Sequence, residues 1–174
     1  MNGFMLAGVV TGIVVGLVLA AVAMTWTKKN RGEKFTYDER QKVARGEGYK
    51  YAFFVLLVYL AGNGCLEMAL EKPWAEPMAE AMVGIAIAVL VHVVYCIWNE
   101  CYFSMNEEPK KVLIFFGVIS VINVIIAVMQ GLEGELIENG TLTNQCANLV
   151  VAIMFGFIMI ALAIKNATRK EEED

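Results

Sequence analysis

The chain has 174 residues, of which 58% are hydrophobic and 18% charged, with a net charge of −4 at neutral pH. A soluble domain carries about 45–50% apolar and about 25% charged residues, so this composition predicts a multi-pass membrane protein. The acidic balance, with basic residues beside apolar runs rather than in a stripe, excludes nucleic acid as a partner.

A helix needs about 20 apolar residues to cross the hydrocarbon core, and five runs meet that length: residues 3–26, 51–70, 78–98, 112–132 and 146–164. The expected fold is all-α, a single membrane domain of five transmembrane helices covering residues 1–174. In the first run Gly8, Gly12, Gly16 and Ala20 recur every fourth residue and share one helix face. Small-residue stripes let backbones approach closely. Packing against another helix of the chain is the expected use, with a homo-oligomer or a membrane protein partner as the alternative. Ala21-Val22-Ala23 resembles a cleavage site, but nothing basic precedes it and Lys28-Lys29 follows like a stop-transfer signal. A span is therefore expected rather than a cleaved signal.

The linker 27–50 carries Lys28, Lys29, Arg31, Lys34, Arg40, Lys42, Arg45 and Lys50. Thr36 and Glu39 have capping-box spacing, which predicts a short interfacial helix over 37–44 with Asp38 paired to Lys42. Gly46-Glu47-Gly48 should loosen it before the chain re-enters the membrane at Tyr49-Lys50-Tyr51. The second span ends in polar residues, Asn63 and Glu67 among them. The third brings His92, Cys96 and Glu100 onto one face at i, i+4, i+8. Imidazole, thiolate and carboxylate all bind transition metals. One helix face rarely completes a four-ligand shell, however, so a hydrogen-bonded seam is expected and no cofactor is assigned. Ser120, Asn123 and Gln130 on the fourth span, and Asn148 on the fifth, should bond across helices. With Asn63 and Glu67 they would alternatively line a polar cavity. The tail 165–174 is a solvated charge run.

Thirteen of the fourteen basic residues fall on one side of this topology, leaving only Lys72 opposite. The positive-inside rule then puts the N-terminus outside and the C-terminus in the cytoplasm. The outer face carries Glu67, Glu71, Glu76, Glu80, Glu133, Glu135 and Glu138, explained by solvation and by that same rule, with cation binding as the alternative. Cys65 and Cys146 lie toward the outside, Cys96 and Cys101 toward the cytoplasm, and no CxxC spacing signals thiol-redox chemistry. Asn139-Gly140-Thr141 and Asn166-Ala167-Thr168 read as accidental sequons. Aspartate occurs only at Asp38 and Asp174, and there is one histidine. No Walker loop or GxSxG elbow is present, so no enzymatic activity is expected.

The segments "DERQKVARGEGYKYAFF" (38–54) and "CIWNECYFSMNEEP" (96–109) resemble a group of small bacterial multi-pass proteins of unknown function in which an acidic-arginine motif precedes the second span. The resemblance implies no chemistry. Both segments lie on the expected cytoplasmic face, where Asp38, Glu39 and Arg40 would meet Asn99, Glu100 and Asn106 as a polar lock. The expectation is a non-enzymatic protein of the bacterial inner membrane, an accessory, regulatory or oligomer-forming subunit. The alternative is a small transporter or the substrate-binding membrane component of one.

Overall fold

The computed structural model describes residues 36–70, 72–105 and 109–173, with Val18 and Ala21 as isolated helical positions. The chain divides into two compact units, Met1–Thr36 and Tyr37–Asp174. Four long helices lie in the second unit: α1 (Glu39–Leu70), α2 (Pro77–Trp98), α3 (Pro109–Leu132) and α4 (Ala147–Glu173). All four are long and apolar enough to cross a membrane. The glycine stripe of the first apolar run lies outside the described residues.

Two of the helix starts are set by proline at the first helical position, where its missing N–H is no loss: Pro77 opens α2 and Pro109 opens α3. The start of α1 is set by side chains. The Asp38 carboxylate accepts from the Gln41 amide at 2.6 Å, and the Gln41 side-chain oxygen accepts from the Asp38 amide at 3.3 Å. This reciprocal arrangement is a capping box displaced two residues from the Thr36/Glu39 pair that spacing suggests. From there α1 runs unbroken through Gly46 and Gly48 for 32 residues.

Gly48 does not loosen the helix because its missing side chain serves packing. A Cβ there would lie 3.0 Å from His92 Nδ1 and 3.2 Å from Tyr95 Cδ1 on α2. Gly84 of α2 mirrors it, since a Cβ there would lie 2.5 Å from the Tyr59 ring of α1. Each helix thus supplies one glycine against aromatic side chains of the other. Among the less exposed positions of α1, Gln41, Arg45, Gly48, Ala52, Val55, Tyr59, Asn63 and Glu67 recur every three or four residues, the period of one helix face, with Ala44, Glu47 and Leu56 flanking them. That face is apolar at its centre and polar at both ends.

The main packing partners run in a row: α1 against α2, α2 against α4, and α4 against α3. The largest core cluster joins α2 and α4 through Val93, Ile97, Ile158, Ala161 and Leu162. Between α3 and α4 a short antiparallel hairpin, β1 (Ile137–Glu138) and β2 (Thr141–Leu142), turns at Asn139-Gly140, both with positive φ. Asn-Gly is the favoured pair for such a two-residue turn, because both positions need left-handed backbone.

Candidate functional site

Helix α2 ends in a turn, residues 99–104, that concentrates the polar contacts at this end of the bundle. Cys101 N donates to Cys96 O at 2.9 Å and Glu100 N to Ile97 O at 3.3 Å. These bonds form a Schellman motif, whose left-handed position is normally glycine. Glu100 occupies it instead, at φ 57°. Asn99 bonds back to Tyr95 O at 2.9 Å through its side-chain amide.

The turn leaves several carbonyls facing α1, and two α1 side chains one helical turn apart occupy them. Gln41 Nε2 donates to Glu100 O at 2.8 Å and Phe103 O at 3.5 Å. Arg45 Nη1 donates to Cys101 O at 3.1 Å and Tyr102 O at 3.5 Å. The guanidinium also stacks 4.4 Å from the centre of the Tyr37 ring, a favourable cation–π placement. A single Gln41 amide therefore both caps α1 and docks it on the turn. The Glu100 carboxylate points the other way and pairs with Lys165 Nζ of α4 at 3.3 Å. Three helices meet at this one turn.

The residues expected to meet as a polar lock on one face divide differently. Asp38 caps α1, Glu39 pairs with Lys42 at 2.6 Å on the exposed side, and Arg40 is exposed. Asn106 lies outside the described residues. Contact with the turn is made instead by Gln41 and Arg45. Their partners are main-chain carbonyls, which leave no trace in residue identity. The signal that was present is spacing: Gln41, Arg45 and Gly48 share the face that packs on α2.

His92 and Cys96 remain neighbours, with Cys96 Sγ 3.7 Å from His92 Nε2. His92 stacks on Tyr49 at 4.0 Å between ring centres, while Cys96 is fully buried. Glu100 lies past the helix end in left-handed backbone, so its carboxylate leaves their face for α4. Among the described residues, no group of three or more histidine, cysteine, aspartate or glutamate side chains is arranged to hold a metal. The four cysteines are free thiols.

The polar residues expected either to bridge helices or to line a cavity fall into three separate places. Asn63 accepts from Trp74 Nε1, while Tyr59 donates to Glu80 O at 2.7 Å. The Glu80 side chain lies beside Glu67 and Asn63, so this first group joins α1 and α2. Asn123 bonds within its own helix, to Ile119 O at 2.8 Å. Gln130 joins α3 to α4, accepting from Asn148 at 3.3 Å and donating to Gln145 at 3.2 Å.

The opposite end of the bundle is held by backbone bonds between elements as well as by side chains. Glu76 N donates to Leu142 O at 2.8 Å and Leu142 N to Trp74 O at 2.9 Å, while Thr143 N donates to Leu136 O at 3.0 Å. Asn144 adds a reciprocal cap: its side-chain oxygen accepts from Ala79 N at 3.0 Å and its amide donates to the Glu76 carboxylate at 2.8 Å. Ala75, Ala79 and Cys146 are buried beneath this arrangement.

The chain matches no family model, no curated protein and no solved structure.

Proposed function

We propose that the protein is a non-enzymatic, five-span protein of the bacterial inner membrane, an accessory, regulatory or oligomer-forming subunit that acts through helix packing and its cytoplasmic face. In this reading the first apolar run supplies the fifth span, the N-terminus lies outside, and the turn at 99–104 lies at the cytoplasmic surface. The observation that carries the proposal is the docking of Gln41 and Arg45 on that turn. It joins the polar start of α1 to the turn that closes α2, giving the cytoplasmic side a defined shape to present to a partner. The division of Asn63, Glu67, Asn123, Gln130 and Asn148 among three places also supports a scaffold over a conduit.

The second reading, a small carrier or transporter component, draws support from one feature, the contact of Glu67, Glu80 and Asn63 between α1 and α2. Polar groups at membrane depth are often functional.

Cysteine crosslinking in native membranes at Gly8, Gly12 and Gly16, with mass spectrometry of the products, tests the leading proposal. A specific homo-oligomer or a recurrent partner would support docking through the first run. Neither an oligomer nor a partner at all three positions would sink that docking. Loss of a transported-ion current on Glu80→Gln in proteoliposomes would favour the carrier.

A further inference from the structure

A cavity of about 360 Å³ opens beside the same turn, lined by Ile97, Tyr102, Phe103 and Leu113 on its apolar side and by Glu100, Lys165 and Asn166 on its polar side. Its volume lies in the range of small-molecule sites. The apolar wall continues directly into the main core, since Ile97 belongs to that core and Tyr102, Phe103 and Leu113 pack against it. The polar side carries one cation and one anion, 3.3 Å apart, with 30% of the Lys165 side chain and 57% of the Glu100 side chain exposed. Both charges are thus open to an incoming group as well as to each other.

On the membrane reading proposed above, on which this inference rests, the cavity sits where headgroups meet acyl chains. Basic pockets between transmembrane helices on the cytoplasmic side bind anionic headgroups, whereas this cavity carries both signs of charge. An anionic headgroup would satisfy Lys165 and face the Glu100 carboxylate with like charge. A headgroup carrying both a phosphate and a primary ammonium complements both charges at once. We propose that this cavity binds phosphatidylethanolamine: phosphate on Lys165 and the Asn166 amide, ammonium on Glu100, and the start of an acyl chain along Tyr102, Phe103 and Leu113. The strained backbone at Glu100 fits this role, because glycine would relax the turn but supply no carboxylate.

The test is native mass spectrometry of the full chain purified in mild detergent and offered phosphatidylethanolamine, phosphatidylcholine or phosphatidylglycerol of identical acyl chains. The ethanolamine lipid should be retained roughly tenfold over the other two, the effect of one charge-assisted hydrogen bond. Glu100→Gln should erase its advantage over the choline lipid, and Lys165→Met should lower retention of all three. Equal retention of the three lipids by the unaltered chain would overturn the proposal, and that arm does not depend on any variant folding. Soluble phosphoethanolamine displacing the lipid at equal concentration would overturn it too, because the site would then be for a free metabolite. A chain that dissolves without detergent would count against the membrane reading. One that needs detergent but shows no lipid preference counts against this site alone.

Discussion

The two ends of the bundle are fastened by different chemistry. At the 99–104 turn the bonds between elements come from a few side chains reaching main-chain carbonyls, Gln41 and Arg45 above all. At the hairpin end, backbone groups bond backbone groups through Trp74, Glu76, Leu142 and Thr143, and side chains of Trp74, Thr141, Thr143 and Asn144 add further bonds around them. A backbone-fastened end tolerates substitution at most of its positions. A side-chain-fastened end depends on very few residues, and those residues can be released or re-engaged by whatever binds near them. A surface meant to respond to a partner is better built the second way.

Arg45→Ala should produce the largest effect. It leaves two turn carbonyls without their donor and removes the stack on Tyr37, a loss of about 2–3 kcal/mol by the cost of a hydrogen bond to a charged group. Reversible unfolding in mixed micelles measures it. Arg45→Lys should recover only part, because a point charge does not reproduce the guanidinium's paired geometry.

Gly84→Ala comes next. The added methyl must displace the Tyr59 ring, whose hydroxyl is anchored on Glu80 O at 2.7 Å, and overpacking of this kind costs about 1–3 kcal/mol. Gly62→Ala on α1, where a Cβ meets nothing within 4 Å, is the matched control. It should be neutral or slightly stabilising in the same assay.

At the hairpin end Asn144→Ala should cost about 1 kcal/mol, the ordinary value of a helix cap, because the backbone bonds around it survive. A loss equal to that of Arg45→Ala would erase the contrast between the ends. The smallest effect belongs to Glu100→Gly. Relief of the left-handed backbone, about 1–2 kcal/mol, and loss of an exposed ion pair, about 1 kcal/mol or less, oppose one another. The same variant should nonetheless abolish the ethanolamine preference, separating stability from binding.

Much of the architecture was legible in the sequence. Length and hydropathy alone mark the runs 51–70, 78–98, 112–132 and 146–164, and each falls within one of the four long apolar helices. The segment 38–45 also stood out by its charges. Its exact partners did not, because Gln41 and Arg45 bind carbonyls, and a carbonyl is the same on every residue. Gly48 suggested a helix break because glycine lowers helix propensity. The packing of α1 on α2 overrides that preference by placing His92 and Tyr95 where a side chain would stand. The hairpin had a local signal in Asn139-Gly140, a turn pair that also forms part of an accidental sequon. Glu100 gave no hint of its left-handed backbone, which only the meeting of α2 with its turn imposes.

Hydrogen exchange of the chain in detergent, followed for unaltered protein and for the Gln41→Ala/Arg45→Ala variant, tests the contrast most directly. If two side chains hold the turn, the amides of Asn99, Glu100 and Cys101 should exchange at least on the order of tenfold faster in the variant, since each 1.4 kcal/mol or so of lost local stability gives a factor of about ten. The amides of Glu76, Leu142 and Thr143 at the other end should keep their rates. Unchanged exchange at the turn, or equal acceleration at both ends, would contradict the account.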